Sequence, residues 1–167
     1  TLYKVWVRTD CGSGSFGSWS NSLTFTTQCA PVTEINESFD VSTALPACWK
    51  KVGTAGTVSV QSTTGAPTAP NAIAISNNSN NGTSQLSVLA LPYVSNLGAG
   101  THRLRFKAKG ATLAGATIEL GYLTNVMNPS SFVYIESHLI ESATTFNTYI
   151  FQPEAGNIAG NLAIRHS

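Results

Sequence analysis

Apolar residues in this chain recur with period two in short runs, and helical spacing is nearly absent. The clearest run is "HRLRFKAKG". Leu104, Phe106 and Ala108 fall on one side of it, and Arg103, Arg105, Lys107 and Lys109 on the other. That alternation predicts a half-buried antiparallel strand with one wet face. About ten candidates of ordinary strand length come after residue 29: "EINESFD", "CWKKVG", "TVSVQ", "NAIAIS", "QLSVLALP", "HRLRFKAK", "TIELGYL", "FVYIES", "NTYIFQP" and "NLAIRH". Gly, Pro, Asn and Ser clusters separate them. Many short strands between turns predict an all-β antiparallel sandwich, a jelly roll.

Residues 1–28 form a separate pattern. In "YKVWVR", Tyr3, Val5 and Val7 share a face, and in "SLTFTT" Leu23 and Phe25 alternate with Thr24 and Thr26. The turn-rich "DCGSGSFGSWSN" lies between them, so the segment reads as one hairpin. A lone hairpin is marginal in water, so it reads as part of a larger module. The chain opens in mid-strand and its single methionine is Met127, which reads as a piece of a longer protein.

Composition narrows the class. Charged residues make up 10% of the 167, hydrophobic residues 42%, and the net charge is +1. Ser, Thr, Asn and Gly replace the usual Lys and Glu, which suits an extracellular β-protein, and nothing in the overall charge suggests nucleic acid. No apolar run is long enough for a transmembrane helix.

"YKVWVRTDCGSGSFGSWSNSLTFTT" resembles the last two strands of a fibronectin type III domain. From residue 29 onward, "ESFD", "LPACW", "APNAIAIS", "LALPYVSNL", "HRLRFKAKG", "IELGYLTN", "SSFVYI" and "NLAIRHS" together resemble the MAM-like, cleaved-adhesin jelly-roll modules of secreted Bacteroidetes proteins, gingipain-type adhesins among them. This implies domains at 1–28 and 29–167. It also implies that the second lacks its last, acidic strand, because the chain ends at Ser167. The resemblance further implies a structural calcium ion near Glu37 and Asp40, with Asn71 as an additional candidate. The expected function is a non-catalytic adhesion or accessory module, secreted or on the cell surface, that binds a cell-surface or matrix glycan or protein. The alternatives are a spacer, or a companion of a secreted protease or polysaccharide-degrading enzyme.

Other residues invite chemistry. "GSGSFG" at 12–17 matches a dinucleotide-binding glycine pattern, but a strand pattern comes next where a helix is needed. Cys11 and Cys29 stand at opposite ends of the returning strand, beyond disulfide reach at about 3.3 Å per residue. Cys29 and Cys48 bracket the opening strand of the second module. They read as a disulfide in an oxidising compartment or else as two buried thiols. Glu119, Glu136 and Glu141 could serve glycoside hydrolysis only if two flanked a cleft, and the isolated His102, His138 and His166 fit strand positions better than a triad. Trp49, Tyr93, Tyr122, Tyr134 and Tyr149 could stack on sugars or pack in a core. The basic row from Arg103 to Lys109 reads as a solvated face or as a surface for an anionic partner. "NES", "NNS" and "NGT" fit the glycosylation pattern, and "SNNSNNGTS" reads as an exposed loop.

Overall fold

The computed structural model describes residues 2–26, 29–54, 56–77, 87–112 and 114–167. It divides into two compact units, Thr1–Ala30 and Pro31–Ser167. No α-helix occurs among the described residues, and none is long and apolar enough to cross a membrane.

The first unit is a hairpin of β1 (Leu2–Val5) and β2 (Leu23–Thr26), paired antiparallel from Leu2↔Thr26 to Val5↔Leu23. Tyr3 stacks on its cross-strand partner Phe25 at 5.5 Å. Farther along, Arg8 places its guanidinium 3.8 Å above the Phe16 ring and 4.6 Å from that of Trp19. The loop turns through Gly12, Ser13 and Gly14, all with positive φ. Its amides are spent on the loop itself, with Cys11 N–H donating to Ser15 O and Gly12 N–H to Asp10 Oδ1. The loop leads into extended chain and then β2, so the glycine pattern has no helix to open.

The second unit is an all-β antiparallel sandwich. Its described strands are β3 (Lys50–Val52), β4 (Thr57–Ser62), β5 (Asn71–Ser76), β6 (Val88–Ala90), β7 (Leu104–Ala108), β8 (Thr117–Leu123), β9 (Phe132–Leu139), β10 (Asn147–Phe151) and β11 (Asn161–His166). Five of them form one sheet in the order β3-β6-β11-β8-β9, and two ribbons, β4-β5 and β7-β10, complete the layers. Leu89, Leu120, Leu162 and Ile164 project from one face of the large sheet. They meet Val58, Ile73 and Ile75 from the first ribbon and Leu104, Phe106 and Phe151 from the second. This is the main core, and burial of its apolar surface holds the layers together.

The opposite face of the large sheet carries a second, smaller cluster. Val52, Val88, Ala90, Leu123 and Ala163 are buried there, with Val126 and Phe132 packed over them. A central strand buried on both faces accounts for the three successive apolar residues Leu162, Ala163 and Ile164 in "NLAIRH". A β-bulge interrupts the β8–β9 ladder between Leu120 and Gly121.

One expected strand does not form. "EINESFD" at 34–40 is irregular. Phe39 adopts a left-handed φ of 64°, and its N–H is taken by Glu37 Oε1 at 2.6 Å. The carbonyls of Phe39 and Asp40 are taken by the Asn71 amide. Local side-chain bonds thus satisfy backbone groups that a ladder would otherwise use. The "SNNSNNGTS" loop, the "NNS" and "NGT" motifs and the start of "QLSVLALP" fall largely outside the described residues.

Candidate functional site

The residues singled out for calcium come together. Glu37, Asp40 and Asn71 surround the Phe39 turn, with Asn71 Nδ2 3.0 Å from Phe39 O and 3.5 Å from Asp40 O. Asn71 is buried at the head of β5. The ring of Phe39 meets Trp49 edge-on at 5.3 Å, anchoring the turn to the core. Asp40 Oδ1 is buried with no hydrogen-bond partner. Buried oxygens are rarely left unsatisfied, and a hard cation coordinated by carboxylate and amide oxygens is one way to satisfy this one. Asn71 turns its amide nitrogen, a hydrogen-bond donor, toward this turn, so the side-chain oxygens nearest a cation there are those of Asp40 and Glu37, and Glu37 Oε1 already accepts from the Phe39 N–H. Among the described residues no three His, Cys, Asp or Glu side chains converge on one point, so backbone oxygens would share the coordination.

Cys29 and Cys48 are disulfide-bonded, and Cys11 is an exposed free thiol. Cys48 has a φ of 72°, in the left-handed region that disfavours a side chain.

The carboxylates do not gather. Glu119 accepts from Arg165 Nε at 2.5 Å, and the Arg165 guanidinium lies 4.2 Å above the Phe132 ring. Glu136 pairs with His138 at 2.8 Å. In the β8–β9 register Glu119 faces Ser137 and Glu136 faces Leu120, so the two acids point to opposite faces of one sheet. Glu141 contributes its backbone N–H to the Tyr149 hydroxyl.

The histidines are held apart as well. His102 contacts Asn96 and Thr101, His138 packs against the rings of Phe106 and Tyr149, and the carbonyl of His166 accepts from Asn77. The aromatic candidates do not form one platform. Trp49 packs on the core, Tyr149 stacks on Phe106, and Tyr93 is exposed in a loop. Tyr122 and Tyr134 occupy opposite faces, because Tyr134 pairs with Gly121 rather than with Tyr122.

The basic row behaves differently. Arg103, Arg105 and Lys107 are exposed, and Lys109 is half-buried with its ammonium 5.2 Å from the Phe146 ring. Among the described residues neither ion pair involves this row. Across the ladder Lys107 faces Thr148 and Arg105 faces Ile150, so β10 brings no acid to this side.

Nothing local in the sequence signals the Glu119–Arg165–Phe132 assembly. It depends on Arg165 facing Glu119 across β11 and β8, a register that no short pattern carries. Comparison with protein-family models, curated proteins and solved structures finds no match to this chain.

Proposed function

We propose that this chain is a non-catalytic, extracellular ligand-binding module, an adhesion or accessory domain of a secreted or surface bacterial protein. The observation that supports this reading best is the uncommitted basic face of β7, presented by a sandwich whose layers are fixed by a continuous core. Exposed cations set side by side on a strand create a local positive potential that can attract an anionic partner. The disulfide suits an oxidising compartment. In this reading a structural calcium ion is held by Glu37 and Asp40. It would fix the turn that begins the second unit and supply no chemistry of its own.

The partner is a glycan or protein of a cell surface or matrix. An array of glycans and matrix proteins probed with the full chain tests this: reproducible binding to any of them supports it, and a uniformly blank array would leave a spacer. Calorimetric titration with calcium tests the ion. Measurable heat with a raised Tm, both lost in Asp40→Asn, is the expected result. No heat and no change in Tm removes calcium from the proposal.

A further inference from the structure

Resting on that reading, we infer that the β7 face binds a linear anionic polysaccharide, bearing carboxylate or sulfate groups, laid along the strand. Alternate residues on a strand stand roughly 6.7 Å apart, so Arg105 and Lys107 are about that far from each other on β7, with Arg103 and Lys109 flanking the strand at its two ends. That spacing is shorter than the Debye length of about 8 Å at physiological salt. A polymer running along the strand therefore meets a nearly continuous positive potential rather than separate points. Arg103, Arg105 and Lys107 are exposed and in neither ion pair among the described residues, and the strand facing Arg105 and Lys107 offers Ile150 and Thr148. Arginine guanidinium groups can take a carboxylate or sulfate through two parallel hydrogen bonds.

The same face argues against other polyanions. Single-stranded nucleic acid is gripped by exposed rings on which bases stack. Here the nearest ring, Phe146, is half-buried beside the Lys109 ammonium. A folded acidic protein needs buried apolar anchors at the centre of the contact, and Ile150 is the one large exposed hydrophobe that β10 offers here. A hydrophilic chain of repeating charge demands neither.

The test is binding of the full chain to polygalacturonate, dextran sulfate, neutral dextran and a single-stranded DNA oligonucleotide at fixed ionic strength. Binding to polygalacturonate or dextran sulfate, weakened by added salt and absent with neutral dextran, is expected, and the arm that binds identifies the anionic group. In Arg103→Ala/Arg105→Ala/Lys107→Ala the affinity falls about tenfold or more, whereas Lys4→Ala on β1 leaves it unchanged. A circular dichroism melt shows that the triple variant is folded. Undiminished binding by the folded triple variant, equal or tighter binding of DNA, or no binding to either anionic polymer overturns the inference. If the glycan and protein array is positive in any of those cases, the broader binding role survives; if it is blank as well, both fall.

Discussion

Strands β7 and β11 both carry arginine, and the two settings put the charge to opposite uses. In β11, Leu162, Ala163 and Ile164 are buried in succession, facing two different clusters. Arg165 continues that strand and is held against Glu119 and the Phe132 ring. In β7, burial alternates residue by residue and Arg105 projects into solvent. A cation in the first setting stabilises the sheet, because a half-buried charge must be paired to be tolerated. A cation in the second contributes little to folding and stays available to a partner.

Substitutions can break this contrast, starting with the largest expected effect. Leu120, fully buried beside β11, loses about 2–5 kcal/mol on change to alanine, read as a lowered denaturant midpoint at constant slope. Glu119→Ala strands Arg165 and costs about 1.5–3 kcal/mol; a double-mutant cycle with Arg165→Ala isolates the coupling, and zero coupling would sink the structural role given to this pair. Gly121→Ala places a methyl against the carbonyl of Val133 and the Phe132 ring, for a loss of about 1–3 kcal/mol in thermal melts. Arg105→Ala shifts stability by no more than about 0.5 kcal/mol. A loss as large as that of Glu119→Ala would show that β7 uses its cations for folding after all.

The same two strands show what the sequence can reveal. In β7 one face is wet, so alternation is written into the order of Leu104, Arg105, Phe106 and Lys107, and both the strand and its exposed charges are legible. In β11 both faces are dry and the alternation disappears. The run can be recognised as a strand, but its place at the centre of the sheet cannot. Segment 34–40 reads as a strand and does not form one, because Glu37 and Asn71 satisfy its backbone from the side. Proximity of Glu37, Asp40 and Asn71 is legible only through the resemblance, since the bonds from Asn71 reach positions more than thirty residues away. Glu119 and Arg165 lie 46 positions apart, and their meeting is a matter of register alone.

The bulge opposite Leu120 gives β9 two phases. Phe132 and Tyr134 share the face of Gly121 and Leu123, whereas Glu136 and His138 pair with Leu120 and Ile118 on the other side. Even-numbered side chains thus change sides partway along one strand. The first half of β9 roofs the small cluster with Phe132, and the second half delivers His138 to the rings of Phe106 and Tyr149. A single-residue deletion at Ile135 would bring the two halves back into one phase. Phe132 and His138 would each keep their present face, because Tyr134 and Glu136 already pair with the adjacent Gly121 and Leu120, and the loss would be that of Ile135 from the main core.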